Sequence, residues 1–196
     1  ILSGMSFGTN AAGAVSGAPD LVFMNLGGGY FEMSTLKPVR NSMTNGITAV
    51  DLGGDGRIDL IESIDVSSLI GPLGNYGPGR LLVNRTDPGD QIATFEVSDV
   101  VIDTGNSGMG FCAEDLNQDG YLDLYNTSLG IDQLMMGQPD GSFVDETMER
   151  GIVHEYGPAG QRMQWSPSFV DFNMDGLLDI FVREGGFGLE GEMMMS

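Results

Sequence analysis

Cysteine is nearly absent: Cys112 is the one thiol in 196 residues, so no disulfide can form within the chain. Its neighbours Gly110, Phe111 and Ala113 read as a buried strand, where a free cysteine behaves as a small hydrophobe. No activating pattern surrounds it. Basic residues are scarce too, 8 Lys and Arg against 28 Asp and Glu, for a formal charge of −20. Such a surface repels nucleic acid and anionic membranes and excludes both as partners. No apolar run approaches the ~20 residues needed to cross a bilayer, so no membrane insertion is expected. The start, Ile1-Leu2-Ser3, has neither an initiator Met nor a signal peptide. A processed N-terminus, or a piece of a longer polypeptide, is the expectation. Helical periodicity with caps is missing as well; the nearest stretch, 145–151, would give a turn or two.

Glycine is abundant, 31 residues, and clusters between short runs of β-branched and aromatic residues. That pattern belongs to a turn-rich all-β chain. The acids are unevenly spread, because nine Asp fall in three similar segments. The first is Asp51-Leu52-Gly53-Gly54-Asp55-Gly56-Arg57-Ile58-Asp59. The second is Asp115-Leu116-Asn117-Gln118-Asp119-Gly120-Tyr121-Leu122-Asp123, and the third is Asp171-Phe172-Asn173-Met174-Asp175-Gly176-Leu177-Leu178-Asp179. Their starts lie 64 and 56 residues apart, the mark of one supersecondary unit repeated with loop insertions. A degenerate copy opens the chain: Ser3-Gly4-Met5-Ser6-Phe7 matches Ser107-Gly108-Met109-Gly110-Phe111, and Asp20-Leu21 matches Asp123-Leu124. Its turn at 10–17 has no carboxylate and is expected to hold no metal. The units are 1–46 (degenerate), 47–106, 107–165 and 166–196 (incomplete), within one domain or fragment at 1–196.

Four short strands are expected per unit. In the first complete unit they are 47–50, 59–64, 80–84 and 94–102; in the second, 108–114, 123–127, 132–136 and 142–146. Longer connections run over 65–79 and 150–164.

The shared pattern, D-x-[G/N]-x-D-G-x-x-D, suits calcium, which takes six to eight hard oxygen ligands. Side-chain oxygens come from positions 1, 3 and 5: Asp51 and Asp55; Asp115, Asn117 and Asp119; Asp171, Asn173 and Asp175. Glycine at position 6 permits the left-handed turn. Position 7 (Arg57, Tyr121, Leu177) varies because its backbone carbonyl suffices. Position 9 (Asp59, Asp123, Asp179) closes the cage from the next strand. Gly53 supplies no side-chain oxygen, so 51–59 should be the weakest of up to three calcium sites. Without His or Cys the loops do not suit zinc, and magnesium prefers to keep its waters. Asx-turn hairpins without metal would explain one Asp per turn, but not three carboxylates brought together three times. An EF-hand would need Glu at position 12; Glu62 satisfies it, but Asn126 and Val182 do not. Glu62 is then expected to point outward from a strand.

These loops, each followed by D-[LI] and a strand, resemble the FG-GAP or VCBS repeat of integrin alpha-chain propellers and cartilage acidic protein. Further matches are Asp20-Leu21-Val22-Phe23-Met24-Asn25, Gly27-Gly28-Gly29-Tyr30-Phe31-Glu32 and Gly141-Ser142-Phe143-Val144-Asp145. The resemblance implies a seven-bladed β-propeller with blades of four antiparallel strands and calcium between the first two. About three and a half blades fit in this chain, so another chain or segment is expected to complete the ring. It also implies an extracellular binding or adhesion module with a protein or glycan partner, at the cell surface or in the periplasm. Loops that fill only at millimolar calcium point to the same compartments.

Two other functions remain open on sequence. Similar propellers form the body of some polysaccharide lyases, and His154, Glu155, Tyr156 and Arg162 on 150–164 would be the candidate groups. The plainer reading of His154 is an exposed loop residue. A structural subunit of a surface filament is the other, with Met193-Met194-Met195 facing a partner. Asn84-Arg85-Thr86 and Asn126-Thr127-Ser128 are sequons that would accept a glycan in a eukaryotic secretory pathway.

Overall fold

A computed structural model of the chain describes residues 8–9, 15–16, 20–35, 44–64, 79–100, 102, 108–128, 131–152 and 163–185. Among them the regular structure is all β. Two four-stranded sheets lie in the middle of the chain, each an antiparallel meander in sequence order. The first holds β5 (Thr44–Val50), β6 (Asp59–Ile64), β7 (Arg80–Asn84) and β8 (Phe95–Val97). The second holds β9 (Gly108–Glu114), β10 (Asp123–Ser128), β11 (Gln133–Gly137) and β12 (Phe143–Asp145). Two hairpins flank them: β3 (Leu21–Gly27) with β4 (Tyr30–Thr35), and β13 (Met163–Val170) with β14 (Asp179–Gly185). A minimal pair joins β1 (Gly8–Thr9) to β2 (Val15–Ser16).

The sheets stack face to face, and alternation along each second strand shows how. Asp59 and Asp123 are followed by Leu60-Ile61 and Leu124-Tyr125, whose side chains leave opposite faces. Leu60 joins Leu82 and Phe95 in a core with Val22 and Met24 of β3. Ile61, from the other face, meets Leu124, Phe111 and Met135 of the next sheet. Tyr125, Leu134 and Met136 then pack on Phe169, Ile180 and Val182 of β13 and β14. Each middle sheet therefore buries both faces, and every residue of β6 and β10 is buried. Full burial of one such Leu, Ile or Phe is worth ~1.5–3 kcal/mol, so these three interfaces dominate the stability of the array.

The first strands of consecutive sheets lie close together. A Cβ on Gly46 of β5 would sit 3.2 Å from the Gly110 Cα of β9, and one on Gly110 would sit 3.2 Å from Pro167 of β13. Glycine lets these backbones approach. Thr48 Oγ1 also donates to the Phe111 carbonyl at 2.7 Å, and Asn45 Nδ2 to the Gly108 carbonyl at 3.3 Å.

Several expectations change. Glu62 is fully buried, not outward, because β6 has a sheet on either side; it pairs with Arg80 across the strand register. The expected strand 94–102 shortens to Phe95–Val97, since Ser98 Oγ accepts the Val100 amide in a local turn. Ile102 returns as a bridge to Gly79. Strands β5 and β13 begin at Thr44 and Met163, ahead of the unit boundaries at 47 and 166. At 146–152 a single helical turn forms, with Arg150 N donating to the Glu146 carbonyl at 2.9 Å. Residues 65–78, 153–162 and 186–196 lie outside the described residues, and with them His154, Glu155, Tyr156, Arg162 and Met193–Met195. Most of the turn at 10–17 lies outside them too.

Candidate metal centre

Each Asp-rich loop joins the first strand of a sheet to the second: β5 to β6, β9 to β10, β13 to β14. The three share one backbone course. At position 1 a carboxylate receives two amides: Asp51 from Asp55 and Gly56 at 3.0 and 2.8 Å, Asp115 from Asp119 and Gly120 at 3.0 and 2.9 Å, and Asp171 from Asp175 and Gly176 at 3.1 and 2.9 Å. At position 5 a carboxylate accepts the amide two residues on, from Arg57, Tyr121 and Leu177. These bonds wind the loop around its own carboxylates. Gly56, Gly120 and Gly176 take φ of 83°, 92° and 86°, as position 6 requires.

Position 4 carries a constraint that sequence reading missed. Gly54, Gln118 and Met174 all adopt left-handed backbone, at φ 65°, 60° and 60°. The doublet Gly53-Gly54 was its signal, since two consecutive glycines in a nine-residue loop suggest more than one special backbone angle. Neither Gln118 nor Met174 has the side chain for this region, so each carries a penalty of ~1–2 kcal/mol.

Position 3 differs between loops. Asn117 Nδ2 donates to Asp119 Oδ2 at 2.8 Å, and Asn173 Nδ2 to Asp175 Oδ2 at 2.9 Å. Their amide oxygens accept the backbone N–H of Asp119 and Asp175. Gly53 offers none of this, and the space a Cβ would take there is open.

Position 9 is anchored to the neighbouring strand. Asp59 accepts Leu52 N at 3.2 Å and Asn84 N at 2.8 Å; Asp123 accepts Leu116 N and Gly137 N, both at 2.9 Å. Asp179 accepts Phe172 N at 3.0 Å. Asn84 and Gly137, at the ends of β7 and β11, are therefore part of the loop support, a role their sequence did not reveal. Asn84 also donates its side-chain amide to the Ile58 carbonyl at 3.0 Å. Burial holds the Asp123 carboxyl above its ordinary range; the amides of Gly137 and Leu116 oppose this, and the charges of Asp119 and Asp115 add to it.

Among the described residues no three His, Cys, Asp or Glu side chains stand in the arrangement of a metal site. The loop carboxylates are instead satisfied by amides. Their donor set still fits calcium in kind. It consists only of carboxylate, amide and backbone oxygens; Asp115, Asp119 and Asp123 are near enough for their charges to oppose one another. At position 7 the Tyr121 and Leu177 side chains are exposed, and that of Arg57 is partly exposed, with its guanidinium 3.9 Å from the Asp87 carboxylate.

A second polar cluster lies in the stack. Fully buried Asp132 accepts the Tyr125 hydroxyl at 2.8 Å and the Ser128 amide at 3.0 Å. Oriented to match donors with acceptors, the buried Gln164 amide of β13 reaches Asp132 Oδ2 at 3.1 Å, tying β13 to the preceding sheet. No protein-family model matches the chain, and no curated protein matches it.

Proposed function

We propose that this chain is a calcium-binding β-propeller module of the FG-GAP or VCBS type, working outside the cell as a binding or adhesion unit. The observation that carries the reading is the threefold recurrence of one loop course, with acidic residues at positions 1, 5 and 9, at the same joint of three stacked sheets. Asp115, Asn117, Asp119 and Asp123 would hold one ion, with the Tyr121 carbonyl. Asp171, Asn173, Asp175 and Asp179 would hold a second, with the Leu177 carbonyl. Asp51, Asp55 and Asp59, with the Arg57 carbonyl, would hold a third more weakly. A bound divalent ion supplies charge neutralisation and crosslinks the two strands that flank it. Stacked sheets whose first strands converge at Gly46, Gly110 and Pro167 support a radial arrangement, which another chain or segment would complete.

Calcium that binds the folded and not the unfolded chain stabilises it by mass action, ~2.7 kcal/mol at a hundredfold excess over Kd. The test is thermal melting in millimolar calcium and in EGTA. The melting temperature should drop by several degrees in EGTA, and calorimetric titration should show more than one site. Equal melting in both, with no heat of binding, would sink the reading.

A further inference from the structure

A course of hydrogen bonds runs from the second Asp-rich loop into the third. Asp119 N donates to Asp115 Oδ1 at 3.0 Å and to Asn117 Oδ1 at 3.1 Å. That N–H lies in the same planar peptide as the Gln118 carbonyl. The Gln118 side chain in turn donates from Nε2 to the Gly176 carbonyl at 3.3 Å. The Gly176 carbonyl and the Leu177 N–H are again two ends of one peptide, and Leu177 N donates to Asp175 Oδ1 at 2.8 Å. Oxygens of positions 1 and 3 in one loop are thereby linked to the position 5 carboxylate of the next, through two peptide planes and one side chain.

The identity of the residue at position 4 confines this link to one pair of loops. Gly54, Gln118 and Met174 share the same left-handed backbone, at φ 65°, 60° and 60°, so only the side chain differs between them. Gly54 has no side chain, and the space beside it is open, with no atom within 4 Å of a built Cβ. The first loop therefore cannot reach the second in this way. Gly176 is fixed from within its own loop as well, its N–H donating to Asp171 Oδ2 at 2.9 Å.

We propose that the second and third loops bind calcium cooperatively, each filled loop raising the affinity of the other through Gln118, while the first loop fills independently. The proposal rests on the calcium reading and adds how its sites are regulated. When Asp115, Asn117 and Asp119 turn their oxygens onto an ion, the peptide between Gln118 and Asp119 is fixed. The Gln118 side chain then loses freedom, and the Gly176–Leu177 peptide is held in place before its own loop is filled. Ordering that accompanies the first ion is not required again for the second, which is positive coupling. Linkage makes the effect reciprocal. Its size is capped by what one exposed hydrogen bond contributes, about threefold to tenfold in affinity. Charge acts in the opposite sense, because an ion in one loop weakens the negative field at the other, and salt at ~0.15 M screens that over ~8 Å.

The test is a calcium titration of the full chain in ~0.15 M salt, followed by nitrogen–proton NMR. The amides of Gly56, Gly120 and Gly176, held by Asp51, Asp115 and Asp171, each report on one loop. Asp175→Ala empties the third loop, and the second should then bind calcium about threefold to tenfold more weakly, with the first unchanged. Charge alone predicts the reverse, since a calcium-filled third loop is less negative than an empty one lacking Asp175. Gln118→Met copies the residue that the third loop carries at the same backbone angle and has no donor. In that background Asp175→Ala should no longer weaken the second loop. If Asp175→Ala does not fold, Asp119→Ala read at Gly176 measures the same coupling from the other side. A second loop indifferent to Asp175→Ala overturns the proposal. So does a coupling that survives Gln118→Met, or one that reaches the first loop. Calcium bound without coupling overturns the proposal and leaves the calcium reading standing; no calcium response at any of the three amides overturns both.

Discussion

Gln118 Nε2 donates to the Gly176 carbonyl at 3.3 Å, joining the second Asp-rich loop to the third across two sheets. Gln118 holds left-handed backbone at φ 60° and makes that bond, while Met174 holds the same angle with no side-chain donor to make one. In the first loop Gly54 takes this position and has no side chain to reach a neighbour.

That contrast predicts two unequal glycine substitutions. Met174→Gly relieves left-handed strain at an 89% exposed position and should stabilise the chain by ~1 kcal/mol. Gln118→Gly relieves the same strain but gives up a hydrogen bond worth ~0.5–1.5 kcal/mol. Its net effect should be near zero. Urea unfolding of both variants decides it, and a larger gain from Gln118→Gly would show that the link between loops contributes nothing.

Glu62 and Arg80 should make stability fall as pH rises. Burial pushes the Glu62 carboxyl up to about 7 against the pull of Arg80, and a hydrogen bond and repulsion from Asp20 add to the rise. Unfolded, the same group titrates near 4.5. Between those values the folded chain keeps a proton that the unfolded chain has lost, so its contribution is complete below 4.5 and is lost as pH passes 7. At most ~3 kcal/mol is involved. Glu62→Gln should flatten the decline between pH 5 and 8. Arg80→Met should cost ~3–5 kcal/mol at pH 8, where it strands a buried carboxylate, and clearly less at pH 5. An identical cost at both pH values would mean that Glu62 stays ionised throughout.

Cys112 should be chemically quiet. Burial, with the charge of Glu114 adding to it, pushes its thiol up to about 12. At pH 8 almost none is thiolate, so a disulfide reagent should modify the folded chain at least tenfold more slowly than the urea-unfolded chain. Comparable rates would place the thiol in contact with solvent.

Strand positions with strong local signals were legible in the sequence. The runs 59–64 and 80–84 match β6 and β7, because an Asp or glycine-rich segment bounds each one. Stacking was not legible. Alternation of Leu60 with Ile61 and of Leu124 with Tyr125 looks like an unbroken apolar run, and nothing local says that both faces are covered. Glu62 was misread for that reason: an acid on a strand normally marks the solvent side, and only the sheet packed above it and Arg80 beside it make it internal. In the loops the carboxylates were evident from spacing. The anchoring amides of Asn84 and Gly137 were not, since they arrive from strands 25 and 14 residues away.

Position 3 of the first loop offers the sharpest test of the calcium reading. Gly53 does not occupy left-handed backbone, and a Cβ placed there meets no atom within 4 Å. A side chain can therefore be added without moving the loop. Gly53→Asn supplies the amide oxygen that Asn117 and Asn173 supply in the other two loops. Calcium affinity at 51–59 should rise about tenfold, the equivalent of ~1.4 kcal/mol for one added oxygen ligand. Asp119→Ala and Asp175→Ala, which each remove a position 5 carboxylate, should each abolish one of the two stronger sites and leave the first loop unchanged. Calorimetric titration of the three variants separates these outcomes. If Gly53→Asn leaves the weakest site as it was, position 3 is not a ligand in that loop, and the ranking of the sites by oxygen count fails with it.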